Sequence, residues 1–222
     1  MPTPAHAPGM ELVAFDFDGT LSDSEMTVLL GDRRGVADEM KAITERAMND
    51  EIGYAESLRK RAALLEGLPP EDVAAAFDAV ELRPGAGDVI AGLNDAGVRT
   101  AILTGGFDRG VAAALDAAGV SVDRIVANAL PTDGTGALTG DVTGPLIEGT
   151  KDDALRDLCA EYGLDPTDAI AVGDGANDLP MLEVAGLAVG FDPKPAVEPG
   201  CDVTVDSMAE LKRLLRGRSV LE

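Results

Sequence analysis

What most constrains the fold of this chain is the apolar run Leu12-Val13-Ala14-Phe15 and the Asp16-Phe17-Asp18-Gly19-Thr20-Leu21 that follows it. Four consecutive apolar residues ahead of a polar stretch read as a strand covered on both faces, as strands of parallel sheets are. Asp16 then falls where the strand runs out, and Asp18 lies in the loop beyond it. That carboxyl edge is where open α/β sheets bind ligands. Asp and Gly are also ordinary turn residues, so the same stretch fits a strand closed by an Asx turn. The partners offered by the rest of the chain decide between the two.

From about Ser24 to Ala79 no strand pattern occurs. Apolar residues there recur with helical spacing, broken at Asn49 to Gly53 and at Gly67 to Pro70. After Arg83-Pro84-Gly85 the pattern alternates. Helices are expected over 86–96, 108–118 and 151–162, and strands over 98–103, 124–126, 169–172, 187–189 and 203–205. Short connections between alternating strands and helices build right-handed βαβ units and a parallel sheet. Residues 127–144 carry Asp133-Gly134 and Gly136 between short alternating runs, which reads as an antiparallel hairpin. The expected architecture is therefore α/β: a doubly wound parallel core (1–23 and 80–222), a helical cap inserted at 24–79, and a small β-hairpin.

Charge narrows the partners. The chain has 40 acidic and 18 basic residues, a formal net charge of −22, spread along its length. Such a surface repels nucleic acid and anionic lipid, so neither is expected as a partner. It suits a protein working in a high-salt cytoplasm, where counter-ions screen the self-repulsion, and it also fits a merely acidic protein. The opening MPTPAHAPGM lacks the basic and apolar regions of a signal peptide, and no apolar run has the length of a membrane span; a cytoplasmic location is expected. Two distant cysteines, Cys159 and Cys201, with a single histidine argue against a disulfide framework or a thiolate zinc site.

Four segments place polar groups at strand ends or helix starts: Asp16 with Asp18, Thr104-Gly105-Gly106, Lys151, and Gly173-Asp174-Gly175-Ala176-Asn177-Asp178. Consistent handedness brings most of them to one edge of the sheet. Thr104 and its glycines can offer a hydroxyl and backbone N–H groups to phosphate oxygens, with a helix starting just beyond them. Lys151 supplies positive charge for a transferring phosphoryl group. Taken alone, the Thr-Gly-Gly is a common tight turn and the lysine a common solvated residue. Asp16, Asp18, Asp174 and Asp178 together repel one another unless a cation sits among them, and hard carboxylate ligands suit Mg²⁺. One of the first two acids can act as nucleophile and the other as general acid and base, an assignment the residues themselves leave open.

In this order and with an early helical insert, DFDGTL, TGGFD, Lys151 and GDGANDLPM resemble the four motifs of the haloacid dehalogenase superfamily of phosphatases. Within it the chain is similar, from Met10 nearly to its end, to the branch that hydrolyses O-phospho-L-serine. The resemblance implies Asp16 as nucleophile and Asp18 as acid and base. It also implies Mg²⁺ held by Asp16, the Asp18 backbone carbonyl and Asp174, phosphate bound by Thr104, Gly105 and Lys151, and support from Asn177 and Asp178. The dehalogenase branch lacks an acid equivalent to Asp18, so the second Asp speaks for phosphate chemistry. Gly19 and Thr104 stand where Ser is common but keep the backbone and hydroxyl; Tyr54, where Phe is usual, could reshape the pocket.

The insert should choose the substrate. Leu58, Ala62 and Leu65 set an inward helical face; Arg61 lies on it, Tyr54 sits two turns earlier on the same side, and Arg59 and Lys60 point away. An inward guanidinium needs an anion, either an acid of the insert or a carboxylate of the substrate. Glu25, at the hinge into the insert, caps a helix or pairs with an ammonium group. Phosphoserine carries phosphate, carboxylate and ammonium, to which Lys151, Arg61 and Glu25 answer in turn, with Met48 and Tyr54 packing its stem. The rival readings are an enzyme for another small phosphomonoester, a phosphotransferase to an alcohol acceptor, and a catalytically silent phosphate-binding module.

Overall fold

Six strands form one sheet in the computed structural model, which describes residues 10–48 and 51–221, of Met48 only the backbone. They are β1 (Leu12–Phe15), β2 (Arg99–Phe107), β3 (Arg124–Asn128), β4 (Ala169–Gly173), β5 (Leu187–Phe191) and β6 (Val203–Val205). They pair in the order β3-β2-β1-β4-β5-β6, every pair parallel. The chain therefore winds outward from β1 through β2 to β3, then returns to β1's other side at β4. That reversal opens a crevice at the carboxyl ends of β1 and β4, the switch point of a doubly wound sheet.

Side-chain alternation explains the unbroken apolar run of β1. Val13 and Phe15 pack into one core with Ile102, Ile170, Val172, α5 (Ala86–Asp95) and α9 (Met208–Gly217). Leu12 and Ala14 face the other side, against Leu155, Leu158 and Cys159 of α7 (Lys151–Tyr162) and Met181 of α8 (Leu179–Val184). With both faces covered, a polar residue at any of the four positions would be buried without a partner. The remaining core helix is α6 (Asp108–Ala118).

Between β1 and α5 the chain is helical: α1 (Met26–Arg34), α2 (Ala37–Met48), α3 (Tyr54–Ala63) and α4 (Pro70–Phe77). The expected breaks fall where α3 and α4 begin, although Asn49 and Asp50 lie outside the described residues. A further break at Gly35 was not anticipated. It takes φ 75°, the left-handed cap that ends α1. The insert's two ends are tied to each other: Arg83 N donates to Leu21 O (2.8 Å) and Ser22 Oγ to Glu81 O (2.7 Å).

One expectation needs correction. Thr104-Gly105-Gly106 is not a tight turn; β2 runs on through it to Phe107, beyond the expected strand end at 103, with a register shift against β3 between Leu103 and Phe107, while α6 starts at Asp108 as expected. The expected hairpin over 127–144 is present as two antiparallel bridges, Ala129 with Thr143 and Thr132 with Leu138. Its many glycine and aspartate turn residues leave too few consecutive positions for a ladder. Two further helices, α8 and α9, pack on the sheet, and Leu221 near the chain's end is buried in the core.

Candidate active site

Asp16 is held by the sheet itself: its N–H donates to Val172 O of β4 at 2.8 Å, carrying the ladder one residue past β1. Its carboxylate is 3% exposed and accepts a hydrogen bond at Oδ1 from Lys151 Nζ, leaving Oδ2 without a partner among the described residues. Lys151, the first residue of α7, reaches across to Asp178 Oδ1 as well, at 2.5 Å. Asp178 Oδ2 in turn accepts from the N–H groups of Asp174 (2.9 Å) and Gly175 (2.8 Å), which fixes the loop after β4. Burial opposes the charge on Lys151, but Asp16 and Asp178 outweigh it and hold its ammonium protonated. Burial, with the Asp178 charge adding to it, pushes the Asp16 carboxyl well above its ordinary range despite Lys151.

Asp18 lies across the crevice in a different setting. Its Oδ1 is buried and makes no hydrogen bond, while the first N–H of α1, from Met26, favours its charged form. Burial outweighs that donor, and the nearby Glu25 carboxylate adds to it, so the group is pushed up to about 7. A carboxyl that gains and loses its proton near neutral pH is suited to acid and base work. Two carboxylates two residues apart thus have different partners, one held by a lysine and the other by a backbone N–H at a helix start.

Gly19 makes their approach to the next acid possible. It adopts φ 94°, and a Cβ there would lie 2.6 Å from an Asp174 carboxylate oxygen. Asp174 also meets Lys194 Nζ at 3.1 Å. Carboxylate oxygens of Asp16, Asp174 and Asp178 lie within 4.8 Å of one another, a set that could hold a metal ion. Hard carboxylate oxygens of this kind fit a divalent cation. Of the three, Asp178 is the poorest ligand, because Lys151 and two amides already occupy its oxygens.

A cavity of about 300 Å³ opens over these groups. Asp16, Asp18, Thr104, Gly105, Asp174 and Asn177 form its floor, and Glu25, Thr27, Tyr54, Leu58 and Arg61 of the insert form its roof. Thr104 is 1% exposed and its Oγ1 accepts from Gly106 N at 2.9 Å, so the hydroxyl is oriented by its own strand end. Arg59 and Lys60 do point away, to Glu148 and Glu56, and Leu58, Ala62 and Leu65 are buried. Arg61 has no carboxylate partner among the described residues: Nη1 donates to Thr27 Oγ1 at 3.3 Å and Nε is buried without an acceptor. Glu25 precedes α1 but its side chain makes no cap hydrogen bond. Of the residues anticipated from sequence, all but Met48 border this cavity or brace its walls; the Met48 side chain lies outside the described part.

Several neighbours were not anticipated. Lys194 follows β5 and is brought to Asp174 by the sheet, with no motif around it to signal the contact. Asn128 is fully buried at the end of β3, where its Nδ2 donates to Gly105 O (3.0 Å) and its Oδ1 accepts from Leu146 N (3.1 Å). It holds the irregular end of β2 in place. Arg83 donates to Gly19 O at 3.1 Å, bracing the loop that carries Asp18.

Comparison with known proteins places this geometry. The family model for haloacid dehalogenase-like hydrolase matches residues 13–183. A phosphoserine phosphatase of Halobacterium salinarum is 60% identical over 206 residues, covering 93% of this chain and 97% of that protein. Among solved structures, a phospho-aspartyl intermediate analogue of phosphoserine phosphatase superposes with a TM-score of 0.83 at 35% identity, covering 93% of this chain and 99% of the other. A substrate-bound phosphoserine phosphatase complex gives the same TM-score at 34% identity, with 93% and 97% covered.

Proposed function

The chain belongs to the haloacid dehalogenase-like hydrolases, and from that premise we propose that it is a phosphoserine phosphatase, converting O-phospho-L-serine and water to L-serine and phosphate. The observation that carries the substrate is Arg61. It is a half-buried cation in the roof of the cavity, restrained by a neutral hydroxyl and left without a protein carboxylate. A substrate carboxylate matches its planar fork. Glu25, uncommitted as a cap, answers the ammonium group, and the floor takes the phosphate.

In this reading Asp16 Oδ2 attacks phosphorus and the bond to the serine oxygen breaks, while Asp18 gives its proton to that oxygen. Asp18, now a carboxylate, takes a proton from water as the water oxygen attacks phospho-Asp16 and releases phosphate. Lys151 and the Thr104 hydroxyl, with the Gly105 backbone, balance charge on the phosphoryl oxygens. Mg²⁺ at Asp16, Asp174 and the Asp18 carbonyl would supply further positive charge there. Residues 24–79 act as a lid that admits one water at a time. The acidic surface, shared with a working medium of high salt, and a role in serine formation in the cytoplasm belong to the same proposal.

Two results test it. Arg61→Ala is expected to lower kcat/KM for phosphoserine by about 100-fold and for phosphoethanolamine, which lacks the carboxylate, by less than about fivefold. Equal losses, or phosphate release that requires an added alcohol acceptor, would refute the assignment. Chelation should abolish turnover and Mg²⁺ restore it. Mg²⁺ should also raise the Tm of the wild type but not of Asp174→Asn, and equal shifts in both would remove Asp174 from the metal set.

A further inference from the structure

The hydroxyl of Tyr54 has no role in the scheme above, and the sequence pattern suggests only a packing role for its ring against the substrate's stem. Tyr54 opens α3 and is 43% exposed, the most open aromatic side chain of the roof. That open surface faces ligand space: the residue borders both the cavity over Asp16 and an adjoining one of about 390 Å³ lined also by Gly105, Lys151 and Asn177. Its Oη makes no hydrogen bond with any described residue. It lies directly over Gly105, so close that a Cβ on that glycine would collide with it. Arg61, Lys151, Asp16 and Asp18 all lie near enough to influence the phenol electrostatically. A phenol O–H placed over a phosphate-binding backbone, with no acceptor of its own, lacks what a bound phosphoryl oxygen would provide.

We propose that the Tyr54 hydroxyl is a further substrate-binding donor, delivering a hydrogen bond from the lid to a phosphoryl oxygen held above Gly105. This rests on the phosphomonoesterase reading given above and adds to it a coupling: the lid senses the phosphate through one hydroxyl, independently of the carboxylate clamp at Arg61. It also gives Gly105 a second requirement, since any side chain there would displace the hydroxyl.

Tyr54→Phe isolates the hydroxyl, because ring, volume and position in α3 are kept. The measurements are KM and kcat for phosphoserine and for phosphoethanolamine, and the inhibition constant for inorganic phosphate. A charge-assisted hydrogen bond to phosphate predicts that KM for both substrates and the phosphate inhibition constant each rise about tenfold in parallel. A purely packing role predicts no change in any of them, since Phe packs as Tyr does; that result overturns the proposal. A change confined to phosphoserine, with phosphate inhibition unaltered, also overturns it, because the hydroxyl would then be serving the amino-acid end. Failure of the wild type to hydrolyse phosphoserine would overturn the parent reading instead, which separates the two.

Discussion

Asp16→Asn is expected to lower kcat by a factor on the order of 10⁴ or more while the protein melts no lower than the wild type. The loss follows from chemistry: an amide oxygen cannot form the covalent phosphoryl intermediate, and no second carboxylate occupies the same position at the end of β1. The retained stability follows from electrostatics. Asp16 is buried and faces Asp178, and both push its carboxyl well above the ordinary value of 3.8, so its charge at neutral pH costs the folded state. Asn has nearly the same shape, can still accept from Lys151, and carries no charge to bury. Lys151 keeps its ion pair with Asp178. Phosphate release and a thermal melt on the same preparation check both halves. Turnover within about tenfold of wild type would exclude covalent catalysis at Asp16, and a Tm lower by more than about 5 °C would mean that its charge stabilises the fold.

The parts of this site that could be read in advance are those whose position follows from local pattern. Asp16 comes at the end of a four-residue apolar run, Lys151 at the start of an amphipathic helix, and Asp174 after another buried strand. A parallel sheet sends all three to one edge. The placement of Arg61 on the inner face of α3 needed only helical periodicity, and the pairing of its neighbours Arg59 and Lys60 with Glu148 and Glu56 agrees with it. What could not be read depends on register and on contacts distant in sequence. Lys194 meets Asp174 only because β5 lies beside β4. Asn128 supports Gly105 because β2 and β3 shift register there, which also keeps Thr104-Gly105-Gly106 extended where local propensity suggests a turn. The hairpin was legible from its turn residues, and the same abundance of them confines it to two antiparallel bridges.

A second large effect is expected at Lys151, and here stability and activity should fall together. Lys151→Gln removes the only cation that touches Asp16 and Asp178 among the described residues, leaving two buried carboxylates opposite one another. Breaking a buried ion pair from one side costs about 3–5 kcal/mol, which for a chain of this size lowers Tm by roughly 10 °C. The loss of charge on the phosphoryl oxygens should lower kcat by about 10²–10³-fold. The pH dependence identifies the cause. The Asp16 carboxyl already lies well above 3.8 with Lys151 present, and without the ammonium it rises further. A carboxyl raised in the folded state binds its proton more tightly there than in the unfolded chain. The variant's stability should therefore increase as pH falls through the raised folded-state value towards the ordinary carboxylate range, and more steeply than that of the wild type. Adding Asp178→Asn removes one of the opposed charges, so the double variant should regain most of the lost Tm at neutral pH and none of the lost kcat. A Tm deficit that is independent of pH, or that survives in the double variant, would assign the loss to the packing of the lysine stem rather than to uncompensated charge.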